Sequence, residues 1–352
     1  MAITVSKSIL LIGNWHWDIY EEALSRGFQF HGWEVIPFKM DGYLPRSWWA
    51  DYLIRACFAP VLSKLNASLL GIFEAIRPEA VFLNRSDLVL PATLKRMKEI
   101  KSDAVLLLYH NDNPFVTLGN RVKMRHYLAS IHETHVTLVY RRSNIEDAQR
   151  YGAKRVELFP PYYLSFRHRP LSPKDGCDVI FIGHYESDGR AECLDYLFQN
   201  GISIRVYGTF WEKVRKKYKW LADMDIQPAL GEEYSSLISS AKIALAFLSG
   251  KHRDVYTRRC FEIPACGTLM MAPRTRELEH LFTDGEESVY YDSREDLLQK
   301  IHYYLDHKEE RSRIAQAGRN RCLKDGHDEI GRVGRLIEII DDIKKEFIAG
   351  KS

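Results

Sequence analysis

The chain has little of what would mark a membrane span, a metal centre or a nucleic-acid clamp. No apolar run approaches the ~18 residues needed to cross a bilayer. The short apolar stretch at 8–12 stops at Gly13-Asn14-Trp15-His16 without the small-residue cleavage site of a secretory leader. It therefore reads as a first buried strand, and the expected location is the cytoplasm. The cysteines, at 57, 177, 193, 260, 266 and 322, form no CxxC pair and no metal-ligand spacing. That excludes a zinc module or a redox pair and leaves them as small core residues. Excess charge of one sign is missing too: 50 Lys and Arg against 47 Asp and Glu leave +3, with no field to draw a nucleic acid. Glycine is sparse where a dinucleotide fold needs it. After the first strand only Gly13 stands where G-x-G-x-x-G is required, which excludes a nicotinamide dehydrogenase.

What is present is a folded, two-domain chain. Its 352 residues exceed one ordinary core and suit two domains of about 150 each, and 45% hydrophobic with 28% charged residues is a globular balance. In the first half, strand-like runs at 8–12, 34–38, 80–83, 104–109, 136–140 and 155–159 alternate with helical stretches, among them 19–30, 47–76 and 92–100. Continuous apolar strands joined by helices predict a parallel sheet covered on both faces. Pro160-Pro161 and the Pro, Ser, Asp and Gly of 170–176 break the pattern, so residues about 160–176 read as a crossover. The alternation restarts with strands at 179–183, 204–207, 243–248, 268–271 and 288–291, and helices at 189–199, from Trp211, and at 233–241. The expected division is an N-terminal Rossmann-like domain at 1–165 and a C-terminal one at 166–352. A final helix carries one apolar stripe of Ile330, Val333, Leu336, Ile337, Ile340, Ile343 and Phe347, and it is free to pack back on the first domain.

In open α/β sheets ligands bind beyond the carboxyl ends of the strands, and two such lobes predict a site in the cleft between them. The richest segment of this kind runs from Ser249 through Lys251, Arg253, Asp254, Arg258, Arg259 and Glu262 to Gly267. A strand ends near Leu248, and a helix is expected to start near Val255. Free N–H groups at such a start, with Lys251, Arg253, Arg258 and Arg259 around them, suit a diphosphate. Glu262 can accept hydrogen bonds from a ribose diol, or can pair with Arg258 and Arg259 on its helix face. Asp254 is a second such carboxylate, or simply the helix N-cap.

From Arg259 onward the residues resemble the CgeB-like (spore maturation protein-like) glycosyltransferases, a branch similar to glycosyltransferase family 4. The matching stretches are Arg259-Cys260-Phe261-Glu262-Ile263-Pro264-Ala265-Cys266-Gly267-Thr268, then 275–287, 297–305 and 311–321. Asp178-Val179-Ile180-Phe181-Ile182-Gly183 and Val206-Tyr207-Gly208 resemble the second-lobe strands of the same fold. The resemblance implies the GT-B fold, two Rossmann-like lobes, and transfer of a sugar from a nucleoside-diphosphate donor without a metal or other cofactor. It gives Glu262 the place of the second Glu in the family 4 Glu-x7-Glu pattern, which holds the donor ribose. Asp254 stands at the first, one methylene short. Gly183, Tyr207, Arg190 and Lys251 or Arg253 fall to the donor side, with Arg190 open to the alternative of a solvated helix-start residue.

On the acceptor side, His110-Asn111-Asp112-Asn113-Pro114 follows a strand. His110 or Asp112 can act as general base, or the stretch is turn chemistry that stops the strand. His16, within Asn14-Trp15-His16-Trp17-Asp18, is a further base candidate, and the two tryptophans either stack on a sugar or fill the core. The acceptor class stays open among a glycan, a lipid-linked glycan and a small molecule. Membrane contact is at most peripheral, through the basic run Lys213–Trp220. A metal-dependent GT-A enzyme would need Asp-x-Asp at a strand end; Asp223-Met224-Asp225 has the letters but lies deep in the second lobe. The alternative function is a non-catalytic nucleotide- or glycan-binding protein on the same scaffold.

Overall fold

A computed structural model describes residues 7–43, 60–172, 176–221, 224–250 and 253–350. The chain divides into two compact units: Met1–Pro160 with Glu329–Ser352, and Pro161–Asp328. The crossover lies at Pro160, and the terminal helix belongs with the first unit.

In the first unit the described elements run β1 (Ser8–Gly13), α1 (Ala23–Phe30), β2 (Glu34–Lys39), α2 (Pro60–Ile76), β3 (Ala80–Asn84), α3 (Pro91–Ile100), β4 (Val105–His110), α4 (Leu118–Lys123), α5 (Arg125–Ser130), β5 (Val136–Val139), α6 (Asn144–Arg150) and β6 (Val156–Leu158). The strands form one parallel sheet in the order β2-β1-β3-β4-β5-β6. β1, β3 and β4 are almost wholly apolar and buried, as burial on both faces demands. Of the helix expected at 47–76, the part from Pro60 is seen and the rest lies outside the described residues. The stretch before α1 is a π-helical turn, Asp18–Glu22, rather than a regular helix.

The second unit carries β7 (Cys177–Ile182), α7 (Arg190–Gln199), β8 (Ile204–Tyr207), α8 (Gly231–Ser240), β9 (Ala241–Leu245), α9 (Arg259–Ala265), β10 (Leu269–Pro273), α10 (Arg276–Leu281), β11 (Val289–Tyr291), α11 (Arg294–Asp306) and α12 (Lys308–Lys324). Its sheet is also parallel, in the order β11-β10-β9-β7-β8. The helix expected from Trp211 is instead two 3-10 turns, Trp211–Val214 and Lys219–Leu221. Aromatic anchoring overrides helical continuation there. Trp211 is buried against Phe181, and Trp220 stacks on Phe198 with ring centroids 4.6 Å apart. The basic side chains between them have no apolar stripe to bury.

The last helix, α13 (Glu329–Ala349), buries Val333, Leu336, Ile340 and Ile343 in the first unit. Their 3-4-3 spacing places them on one face. It crosses α1 at Gly27, where an added Cβ would meet the Val333 side chain at 2.6 Å.

Among the described residues no helix is long and apolar enough to cross a membrane.

Candidate active site

In each sheet the chain leaves one strand in both directions, between β1 and β3 in the first unit and between β7 and β9 in the second. These switch points open crevices at the strand carboxyl ends, where α/β proteins place ligands. In the second unit two backbones close on each other there. Gly183 N–H donates to Tyr207 O at 2.8 Å, and Gly208, at φ +140°, comes so near Gly183 that a Cβ would sit 2.1 Å from its carbonyl oxygen. Only glycine fits at 208. The Trp211 indole N–H holds Gly183 O from the other side at 2.9 Å.

Glu262 lies in α9 and is 6% exposed. Its Oε2 accepts from the Tyr234 hydroxyl at 2.8 Å, while Oε1 faces His168 Nε2 at 3.8 Å and Arg258 Nε at 4.0 Å. His168 Nδ1 accepts the Leu164 N–H at 2.8 Å, which leaves the proton of a neutral ring on the nitrogen that points at Glu262. Burial, then the Glu262 carboxylate, raise the Tyr234 phenol well above its ordinary range, so it remains a donor. The carboxylate is thus oriented from three sides and retains lone pairs for further donors. His168 stands in the stretch read as a crossover; the aromatic density of Tyr162, Tyr163, Phe166 and His168 was the available signal against a linker.

The helix start differs from expectation. α9 begins at Arg259, not near Val255, so Asp254 is not its N-cap. The loop is closed by Asp254 N–H to Ser249 O at 3.0 Å, and Thr257 takes the next donors: Arg259 N–H to its Oγ1 and Cys260 N–H to its carbonyl, both at 3.1 Å. The free backbone donors expected for a diphosphate are therefore partly used, and side-chain cations carry more of that role. Arg253 is exposed, with a positive φ of 54°. Arg259 is half-buried; its Nε–H donates to Ile182 O and its guanidinium lies beside Gly183. Lys251 lies outside the described residues. The helix stops where Pro264 and Gly267 predict, with Gly267, φ +76°, donating to Pro264 O at 2.8 Å.

Arg190 is neither solvated nor free to bind phosphate. Its side chain is 2% exposed, with Nη2 2.5 Å from Asp188, Nε 2.8 Å from the same carboxylate and Nη1 donating to His184 O at 2.7 Å. It locks the loop after β7. The loop then presents two residues that sequence reasoning passed over, His184 and Glu186. Glu186 accepts from His184 Nε2 at 2.8 Å and from Ser249 Oγ at 2.5 Å, joining the β7 and β9 loops. The His184 hydrogen bond leads in holding the Glu186 carboxyl down at about 2, aided by Ser249 and Arg190 against the opposing effect of burial. Its stabilisation is thus complete above the ordinary 4.5 and is lost as pH falls toward 2. Glu186→Gln should flatten the fall in urea midpoint between pH 5 and pH 2; an unchanged slope would remove Glu186 from the acid response. A cavity of about 310 Å³ opens at the same sheet edge, with Arg190, Phe247, Leu248, Pro273 and Tyr291 in its lining. A second, of about 420 Å³, lies by Lys7, His31, Trp33 and Gly334, before β1 and β2, away from every candidate residue.

In the first unit Glu21 organises the loop after β1. Its carboxylate accepts from Asn14 N–H at 3.1 Å, Trp15 N–H at 3.2 Å and Asn84 Nδ2 at 2.8 Å, and it fills the space a Cβ on Gly13 would need. Trp15 and Arg85, after β1 and β3, both have positive φ, at 57° and 49°. Such outliers gather at ligand sites. Trp15 lies under Lys39, 5.7 Å from the ring centroid; Trp17 is exposed and packs edge-on against the exposed His16. Neither tryptophan joins the core cluster of this unit. His110 does not fit a general base. It is buried, its Nδ1 accepts the Asp112 N–H at 3.0 Å, and its Nε2 lies 3.2 Å from Asp87, so both nitrogens are engaged. Asp112 is about one-third exposed, with Arg85 3.9 Å away, and keeps an accessible carboxylate. Asn113 Oδ1 accepts the Phe115 N–H at 3.1 Å, the turn chemistry that the sequence suggested for this loop. Asp225 is exposed and accepts from Gln227 at 2.7 Å, while Asp223 lies outside the described residues.

Solved structures share this arrangement across nearly the whole chain. Sucrose-phosphate synthase from Thermosynechococcus elongatus superposes with a TM-score of 0.71, at 13% identity over 96% of this chain and 99% of that one. The fold is GT-B. Trehalose 6-phosphate synthase from Burkholderia multivorans gives 0.65 at 10% identity, covering 99% and 98%, and Anabaena HepE, solved with UDP and glucose, gives 0.64 at 10%, covering 96% and 100%. Residues 190–338 match the glycosyl transferase-like family, a span that holds Glu262, Arg259 and the β9 loop of this GT-B chain. No curated protein matches it in sequence.

Proposed function

We propose that the chain is a glycosyltransferase that takes a sugar from a nucleoside diphosphate and passes it to an acceptor hydroxyl. The observation that carries this reading is the oriented, buried Glu262 carboxylate beside a cation-bearing loop at the β7/β9 switch point. A ribose diol is the donor pair such a carboxylate suits, and Arg253 and Arg259 suit the diphosphate leaving group. The glycosyl transferase-like match over 190–338 and HepE's binding of UDP and glucose support the same assignment. Within that class the Arg259–Thr268 stretch favours the CgeB-like branch related to family 4, and the arginines favour charge neutralisation without a metal.

Asp112 is the preferred acceptor base, with His16 as its rival. Asp112→Asn should leave nucleotide affinity unchanged and slow transfer by about 10²–10⁴. Normal turnover would demote Asp112 to a turn residue and turn attention to His16.

Thermal-shift measurements with UDP, GDP, ADP, CMP and dTDP, each with magnesium or EDTA, test the whole reading. A ligand at 100 times its dissociation constant adds about 2.7 kcal/mol. The expected result is one nucleoside diphosphate that stabilises equally in EDTA. Stabilisation only with magnesium would refute metal independence, and no shift with any nucleotide would refute the donor site.

A further inference from the structure

Phe210 follows β8 by three residues and has no part in the core. It sits in the left-handed region, at φ 68°, and is 48% exposed. That conformation is strained for an L-residue, and glycine would adopt it without strain. The backbone requirement is clear: Phe210 precedes the 3-10 turn, and its carbonyl accepts the Lys213 N–H at 3.2 Å. Burial is supplied by the next residue, Trp211. Nothing in the packing asks for an aromatic ring at 210.

The ring's surroundings suggest a use. Lys213 Nζ lies over it, 4.4 Å from the centroid, and the His184 ring meets it nearly perpendicular at 6.3 Å. Phe210 and His184 follow neighbouring strands, β8 and β7, at the carboxyl edge where the Gly183 and Gly208 backbones close on each other. β8 is the edge strand, two places from β9, roughly 10 Å at ~4.8 Å per strand. A diphosphate held by the cations of the β9 loop would leave the base at the other end of the nucleotide within reach of β8. A cation-backed aromatic ring is a stacking surface for a flat heterocycle.

We infer that Phe210 is the platform on which the donor's nucleobase stacks, with His184 closing its edge. The inference rests on the donor reading above. It predicts that the ring is kept against backbone preference, so Phe210→Gly should hold or raise the melting temperature while losing nucleotide affinity.

The experiment is calorimetric titration of wild type, Phe210→Gly and Phe210→Trp with UDP, GDP, ADP and inorganic pyrophosphate. For the nucleotide that wild type binds, Phe210→Gly should weaken affinity by roughly 5- to 150-fold, Phe210→Trp should restore it, and pyrophosphate binding should not change. Equal nucleotide affinity in wild type and Phe210→Gly overturns the stacking role alone. Equal loss of nucleotide and pyrophosphate affinity also overturns it, by showing that the loop rather than the ring matters. Wild type that binds none of these nucleotides, nor CMP or dTDP, overturns the donor reading itself, and the stacking role with it.

Discussion

Glu262→Ala is expected to weaken nucleoside-diphosphate binding about a hundredfold. The variant removes both oxygens offered to the ribose diol. Hydrogen bonds to a charged group contribute about 1.5–3 kcal/mol each, so losing two gives at least ~3 kcal/mol, or two decades at ~1.4 kcal/mol per decade. A second effect runs beside it: the Tyr234 hydroxyl, His168 Nε2 and Arg258 lose the carboxylate they face. Glu262→Gln separates the two. It keeps an acceptor for Tyr234 and nearly the same shape, yet loses the charge that strengthens the ribose bonds. Calorimetry should rank affinity as wild type, then Gln, then Ala, with unfolding midpoints of Gln close to wild type. Unchanged affinity in the alanine variant would place the ribose elsewhere.

Arg190→Met should destabilise the second unit by about 3–5 kcal/mol, the range for breaking one side of a buried ion pair. Asp188, with a side chain only 7% exposed, would be left charged and unpaired, and the loop from His184 to Gly189 would lose its internal tie. Lysine cannot rescue it, because one ammonium does not replace a planar fork that reaches a carboxylate through two nitrogens and a carbonyl through a third. Urea unfolding monitored in the second unit checks this. A variant of near-normal stability but weakened nucleotide binding would return Arg190 to the phosphate role that its position at a helix start suggested.

These two residues show where the sequence was readable and where it was not. The strands were legible because apolar runs bounded by turns have few alternatives; β1, β3, β4, β7 and β8 fall within a residue or two of expectation. Glu262 stood out as a candidate because its neighbours form a distinctive string. The burial of Arg190 was not legible because Asp188 and Glu186, only two and four residues before it, meet it through the fold of their own loop, whose path periodicity does not specify. His110 failed for the same reason: its occupancy depends on Asp87, which comes from the loop after a different strand. Glu21, Tyr234 and His168 were missed because each acts through a tertiary contact from an element with no motif of its own. The helix at 211 failed because local charge suggested a solvated helix, whereas Trp211 and Trp220 fix the chain by burial.

The return of α13 to the first unit bears on biosynthesis. The second unit, residues 161–328, is an insertion between two parts of the first, and the parallel bridge Tyr163–Asp328 brings its two ends together. On the ribosome the inserted unit is complete before the unit that began first. At ~5–20 residues per second its passage takes on the order of 10–30 s, during which Leu24, Gly27 and Phe28 of α1 await the face of Val333. Nascent chains stalled before residue 329 should therefore present a protease-resistant second unit and a first unit still open to chaperones.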